Sequence, residues 1–427
     1  MDHIYKFTPG RIPAAQNREP ADKKRRLDEL FLELVRRARK APYFAEKFEG
    51  LEVNGIDDIA RLPVLTADEY TRNMYPYSNA LLTTGAFLGG TVSRTGGTTS
   101  KPKYAVWGTL DKDAQIEASL PLLEALGLSE GDVVANMLHV GNLYSGLLSI
   151  EFETFRMGLT SLALSVVTPE TLVQVWRDFK FNAMVILPSS AMPVLRKAHE
   201  LEPAFRVEKV VFGGTSMTAA DRAWLRDALG VKRVASAIAS NDGGPFGYQC
   251  EYMSGNAHHA MDEYSFVEIV DDDGNPVPDG GEGRILLTNL HKHAVPLIRY
   301  EIGDVGRLVP GRCACGRSDR RIEFLGRSKD SFILIGNTTN VSEVKSTLEP
   351  HGITEMQIAI GQKDGVDQIT IRFAAPVKIE AGTLMGSLNE RYGKLEAGHF
   401  TFEQVAMGEL PRNPVSGKIV GLVYNRS

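Results

Sequence analysis

The chain has 427 residues, 43% apolar and 24% charged, ordinary globular proportions with enough apolar material for more than one core. Its formal charge of −5 argues against a general nucleic-acid binder, and three cysteines are too few for a disulfide framework and fit a reducing compartment. The start MDHIYKFTPGRIP lacks the apolar core of a signal peptide and no apolar run reaches membrane-spanning length, so a soluble cytoplasmic protein without nucleic-acid or membrane partners is expected.

In ADKKRRLDELFLELVRRARKAPYF, Leu27, Leu30, Phe31, Leu34 and Val35 recur at helical spacing, and the clusters KKRR and RRARK form the wet face of that amphipathic helix. The next distinctive stretch is SRTGGTTSKPK, Ser93 to Lys103. Its composition suits a solvated turn. It equally suits a phosphate cradle, in which glycines let backbone N–H groups approach an anion, hydroxyls add donors and a lysine adds charge. It is neither a Walker A loop nor a G-x-G-x-x-G fingerprint.

From about residue 105 helical stretches alternate with short apolar runs, as expected for βα units around a mostly parallel sheet. DVVANML, NAMVILP and VEKVVFGG read as buried strands, and LDKDAQIEASLPLLEALG and TAADRAWLRDALG as helices. After Met261 the pattern changes to strands separated by Asp-Gly and Gly-Gly turns, predicting an antiparallel sheet or small barrel. From about Gly326 the order strand, helix, strand, strand, helix suits a small α+β domain. The fold class is therefore α/β, a large N-terminal region followed by a small C-terminal domain.

Every cysteine falls in two segments. Cys250 lies in FGYQCEYMSGNAHHA together with His258 and His259, and RCACGR carries Cys313 and Cys315. Three thiolates and an imidazole make a closed tetrahedral zinc site of the structural kind; the alternative is three unrelated cysteines serving as small core residues. Asp304, after the apolar segment PLIRYEI, suits either a ribose contact or an ordinary turn. Asp242, in SNDGGPFGYQC, suits either Mg2+ ligation or chain reversal. Lys418, in NPVSGK, reads by itself as solvated surface.

The order of these signals resembles that of the adenylate-forming superfamily, the acyl- and aryl-CoA ligases, adenylation domains and luciferases. Gly96-Gly97-Thr98-Thr99-Ser100-Lys101-Pro102 resembles the family's S-G-T-T-G-K-P loop, FGGTSMT its G-G-E segment and IASNDGG its Y-G-x-T-E segment. LIRYEIGDVGRL resembles the ribose-binding strand, IEFLGRSKD the interdomain hinge and LPRNPVSGK the segment that carries the family's catalytic lysine. The match runs from about Val92 to Lys418. The series PLIRY, CACGR and LGRS with the Cys/His set is most similar to the phenylacetate:CoA ligase group, which also favours His259 over His258 as the fourth zinc ligand. Three positions depart: Ser100 stands for the loop's second glycine, Asp242 for Glu and Ile238 for Tyr. They point to a specialised branch, similar to proteins that activate polycyclic or hydroxylated aryl acids, and bear on coenzyme A use more than on adenylation.

The resemblance implies a large adenylating domain over residues 1–326 and a small mobile domain over 327–427, with ATP, Mg2+ and structural Zn2+. It implies activation of a small aryl carboxylic acid to an acyl-adenylate with release of pyrophosphate, then transfer to a thiol, with coenzyme A as co-substrate. Thr95, Gly96, Gly97, Thr98, Thr99 and Lys101 would hold the β- and γ-phosphates. Asp242 would carry Mg2+ and Asp304 the ribose. Gly213, Gly214 and Ile238, with Ala239 and Ser240 beside it, would flank the adenine. Lys418 would enter by rotation about Arg327 to Asp330. The acid pocket is expected around His139, Tyr144, Ser145, Phe212 and Ser236, and LPSS at Leu187 to Ser190. No basic partner stands out there, so a monocarboxylic aryl acid is preferred over an amino acid. A carrier-protein thiol or an amine as acceptor stays open, as does a silenced nucleotide-binding protein. A homodimer is an assembly that the sequence leaves open.

Overall fold

The computed structural model describes residues 19–86, 89–94, 103–141, 143–214, 217, 219–327, 331–334, 337–353, 355–363, 366–393, 395, 397–411, 419 and 421–424. The chain forms two compact units, one of Met1–Thr95 with Lys103–Gly326, the other containing Arg327–Ser427.

The first unit opens with helix Pro20–Ala38. Pro20 fits the first turn, where its missing N–H costs nothing, and Leu27, Phe31, Leu34, Val35 and Ala38 form the buried stripe. Arg37 Nη2 donates to the carbonyl of Leu290 at 2.8 Å, and Lys23 pairs with Asp319 at 2.8 Å. The helix is thereby fastened to the later, antiparallel strands.

Those strands belong to an eleven-stranded sheet. From one edge it runs Thr160–Ala163, Val133–Asn136, Ala183–Ile186, Lys209–Phe212 and Arg233–Ser240, all parallel. It continues with Gly244–Tyr248, Ala257–Ala260, Arg321–Arg327, Leu297–Val309, Glu282–Asn289 and Ser265–Val270. In this half the described pairings are antiparallel.

Helices cover both faces of the parallel half, which is why its strands read as unbroken apolar runs. Ala135, Met184, Ile186 and Val210 face helices Pro169–Phe179, Pro188–Leu201 and Ala219–Leu229. Their neighbours Val134, Ala183, Val185 and Val211 face helices Thr109–Ala125 and Gly146–Met157. The expected antiparallel region is thus an extension of the parallel sheet. It curls so that Ser265–Val270 packs back towards Gly244–Tyr248, yet Ser265–Val270 ends the hydrogen-bonded order, so the described strands form an open sheet and not a closed barrel.

In the second unit, strands Phe400–Gln404, Val366–Ala374, Glu355–Lys363 and Leu422–Tyr424 make a four-stranded sheet in that order. Helices Val341–Leu348 and Ala381–Tyr392 contribute Val344, Leu348, Leu384 and Leu388 to its core. A hairpin of Ser331–Leu334 and Asn337–Asn340 precedes them.

Candidate active site

Strands Thr91–Arg94 and Tyr104–Trp107 pair antiparallel, Thr91 opposite Trp107 and Arg94 opposite Tyr104. Residues 95–102 connect them, so Thr95, Gly96, Gly97, Thr98, Thr99 and Lys101 lie outside the described residues. Lys103, the first residue after that connection, reaches Asp242.

Asp242 sits in the turn between Arg233–Ser240 and Gly244–Tyr248 and is 2% exposed. Four contacts pin this turn. Gly243 N donates to Ser240 Oγ at 2.8 Å, and the Gly243 carbonyl accepts from Asn289 Nδ2 at 2.7 Å and from Ser265 Oγ at 3.2 Å. Trp107 Nε1 donates to the Asn241 carbonyl at 3.1 Å. Gly244 has φ +76°, and a Cβ there would meet the Tyr264 hydroxyl at 2.9 Å and Trp107 Cη2 at 3.1 Å, so only glycine lets the chain leave the turn this way.

The carboxylate divides its two oxygens between two tasks. Oδ2 accepts from the Tyr300 hydroxyl at 2.7 Å and pairs with Lys103 Nζ at 2.7 Å, while Lys103 Nζ also lies 2.6 Å from the Tyr300 oxygen. Oδ1 is buried without a hydrogen-bond partner among the described residues. A buried anionic oxygen held in place and left unpartnered fits a hard divalent cation such as Mg2+. Burial, then the nearby Asp242 charge, hold the Tyr300 phenol well above its ordinary pKa, so it remains a neutral donor. Lys103 and Tyr300 both stand inside the segments singled out from sequence, but nothing short of the fold shows that they converge on Asp242.

Asp304 lies on the long strand Leu297–Val309 and is buried. Pairing with the neighbouring strand jumps from Arg284 opposite Val305 to Leu286 opposite Glu301, a bulge that carries Ile302, Gly303 and Asp304. Gly303 takes φ +83° within it. The bulge re-aims Asp304 out of simple strand alternation. Arg299, in the same strand, is buried at φ +49° and donates through Nε to Glu268 at 3.1 Å and through Nη1 to the Leu62 carbonyl at 2.7 Å.

Gly213 and Gly214 follow strand Lys209–Phe212. A Cβ on Gly213 would meet the Ala237 carbonyl at 3.1 Å, and one on Gly214 would meet Leu187 Cδ1 at 2.7 Å. Ile238 is half-buried; it packs against the large core and lies over Gly247, where an added Cβ would meet it at 2.8 Å. Ala239 is exposed, and Ser240 caps the Asp242 turn.

A cavity of about 360 Å3 opens beside helix Gly146–Met157, lined by Tyr144 and Ser145 together with Val92, Leu148, Phe152 and Lys112 among others. Arg94 N donates to the Leu143 carbonyl at 3.0 Å, tying the cavity loop to the strand that leads into residues 95–102. The other expected pocket residues are not part of that lining. His139 Nε2 is 3.0 Å from Ser190 Oγ. Phe212 is buried under the Arg222 guanidinium, 4.9 Å from its ring centre. Ser236 is also buried, its Oγ 3.0 Å from His258 Nε2. His258 Nδ1 is 2.9 Å from the Asn256 carbonyl, which can only accept; Nδ1 is therefore the donor and Nε2 the acceptor from Ser236. Burial pushes His258 down to about 4, so this neutral tautomer persists.

With both nitrogens of His258 engaged, its neighbour faces the cysteines. The donor atoms of Cys250, His259, Cys313 and Cys315 all lie within 4.8 Å of one another, with Cys250 and Cys313 sulfurs 3.6 Å apart and Cys315 Sγ 3.2 Å from His259 Nε2. A tetrahedral zinc site with metal–sulfur bonds of about 2.3 Å has ligand edges of about 3.8 Å, so the cluster fits such an ion. Burial pushes the Cys250 thiol up to about 12, a penalty that a bound cation would reverse. The cluster clasps the end of strand Gly244–Tyr248 to the turn between Leu297–Val309 and Arg321–Arg327, whereas Asp242 lies just before the start of that same strand.

Arg327 ends strand Arg321–Arg327; residues 328–330 and Lys418 lie outside the described residues. No helix among the described residues is long and apolar enough to cross a membrane.

No protein-family model matches the chain. It is similar to a phenylacetate–coenzyme A ligase of Thermus thermophilus, 28% identical over 74% of this chain and 72% of that one. It is similar to another from Aromatoleum evansii, 26% identical over 85% of this chain and 86% of that one. Among solved structures, 2-hydroxyisobutyryl-CoA ligase in complex with 2-HIB-AMP and CoA superimposes with a TM-score of 0.81 at 19% identity, covering 100% of this chain and 95% of that one.

Proposed function

We infer, for a chain that belongs to the adenylate-forming superfamily in its phenylacetate–CoA ligase-like group, an ATP-dependent aryl-acid ligase that forms AMP and hands the acyl group to coenzyme A. A carboxylate oxygen of the acid attacks the α-phosphorus of ATP; the bond to the β-phosphate breaks and pyrophosphate leaves. The coenzyme A thiol then attacks the acyl carbon of the adenylate, its proton is lost to solvent or a base, and AMP departs.

The observation that carries this reading is the divided Asp242 carboxylate, with Oδ2 clamped by Lys103 and Tyr300 and Oδ1 left unpartnered. Bound Mg2+ would supply neutralisation of the phosphate charge. Asp242 would orient through Oδ1, Lys103 and Tyr300 would hold that orientation, and Asp304 would take the ribose hydroxyls. The loop at 95–102, beginning where strand Thr91–Arg94 ends, would receive the β- and γ-phosphates, and Lys418 would neutralise charge growing on the α-phosphate. Cys250, His259, Cys313 and Cys315 would hold a structural zinc, which agrees with reduced thiols and a cytoplasmic protein.

The deciding experiment is pyrophosphate release by the purified protein with ATP and Mg2+ across aryl, fatty and amino acids, with and without coenzyme A. Release with an aryl acid and acyl-CoA formation are expected. Adenylation without acyl-CoA points to a carrier-protein or amine acceptor, and no release with any acid despite ATP binding to a silenced descendant.

A further inference from the structure

The cavity beside helix Gly146–Met157 has mainly apolar walls, yet Lys112 lines it, the sole charged residue among the described lining residues. Lys112 comes from helix Thr109–Ala125, a different element from the loop that forms the cavity mouth. Its ammonium lies 4.7 Å from the centre of the Trp107 ring and donates to Gln115 Oε1 at 3.1 Å. An ammonium carries three N–H donors, so this leaves donors to spare. Burial lowers its pKa, and the attraction of Glu153 and Asp111 offsets that only in part. A cation in this position has N–H donors that a ligand's acceptor can take up.

The position is also coupled to the reaction centre. Lys292 approaches the Trp107 ring to 3.5 Å, and the Trp107 indole N–H donates to the carbonyl of Asn241, the residue before Asp242. Trp107 therefore has a cavity-facing cation against its ring and the Asp242 turn at its edge.

We propose that Lys112 is the specificity determinant of this cavity, reading a second acceptor, a hydroxyl or carboxylate on the ring of the acid, distal to the carboxylate that reacts. This rests on the reading of the chain as an aryl-acid ligase and narrows its substrates to ring-substituted acids. A site built to hydrogen-bond a substrate group rejects the analogue that lacks it, because the buried donor is then left unpaired.

The test compares phenylacetate with 4-hydroxyphenylacetate and 4-carboxyphenylacetate, by kcat/KM for pyrophosphate release and, independently of turnover, by calorimetric Kd. The wild-type chain is expected to favour a substituted acid by roughly tenfold or more. Lys112→Met, which keeps the apolar stem, should bring that ratio close to one, chiefly by weakening the substituted acids; Lys112→Arg should retain the preference. An unchanged ratio in Lys112→Met overturns the proposal. So does an equal loss with all three acids, which would mean that Lys112 holds the reacting carboxylate, and so does the absence of binding of any of them. Binding that follows the ratio without pyrophosphate release would leave Lys112 in its role and dismiss acid activation.

Discussion

The Tyr300 hydroxyl donates to Asp242 Oδ2 across 2.7 Å, and the same carboxylate oxygen pairs with Lys103. Two donors from distant parts of the chain thus fix one oxygen and so decide where the other points. Tyr300→Phe removes one hydrogen bond to a charged group, a loss of about 2 kcal/mol. Lys103→Met strips a buried carboxylate of its cation, costing about 3 kcal/mol or more. Urea midpoints should order the variants wild type, Tyr300→Phe, Lys103→Met, and pyrophosphate release should fall in that order. Equal stability of all three would remove this clamp from the account.

Lys418→Ala is expected to cut the adenylation half-reaction by roughly a hundredfold or more, as for loss of a group that stabilises developing charge. ATP binding, read by calorimetry, should persist. A fully active Lys418→Ala chain would assign the neutralising charge elsewhere.

The sulfur cluster predicts about one zinc per chain by elemental analysis, since its four donors complete a tetrahedron. Cys313→Ala and Cys250→Ala should each lose the metal and several degrees of Tm. His258→Gln should keep the metal, because His258 bonds to Ser236 and Asn256. Zinc in Cys313→Ala at wild-type stoichiometry would contradict the ligand set.

Glu153 is buried, and loss of hydration pushes its carboxyl up to about 7. Its folded pKa exceeds its unfolded value, so the folded chain binds the proton more tightly and stability falls as pH rises from about 4.5 to about 7, by about 3 kcal/mol in all. Glu153→Gln, an uncharged near-isostere, should match wild type below pH 5 and exceed it above pH 7. Melting curves between pH 5 and 8 give the comparison; parallel curves for the two proteins would show that Glu153 keeps its charge at no cost.

Much of the architecture was legible because it follows from periodicity. The stripe Leu27, Phe31, Leu34, Val35 marks its helix, and the apolar runs around Val134, Met184 and Val210 mark strands with both faces covered. The cysteine and histidine grouping was legible because few residue types suit a soft metal, and these fall in two short segments. Other features depend on tertiary contacts. Lys101 and Lys103 look equivalent along the chain, and only the folded chain shows that Lys103 reaches Asp242. The pocket segments around Tyr144 and Ser190 contain no lysine or arginine of their own; Lys112 enters from a helix upstream. The expected pocket roles of Phe212 and Ser236 overlooked their partners Arg222 and His258, which only the folded chain brings near.

The parallel and antiparallel halves of the long sheet are also consecutive halves of its sequence, meeting at Arg233–Ser240 and Gly244–Tyr248. During synthesis the parallel strands leave the ribosome first, with Arg233–Ser240 as a bare edge able to pair with another nascent chain. The residues that cover it come directly after the Asn241–Gly243 turn, so the edge is exposed only for the time taken to translate a few codons. The turn that aims the Asp242 carboxylate is therefore also the hinge on which a vulnerable edge is closed, and variants that loosen it should aggregate during expression before they lose measurable stability once folded.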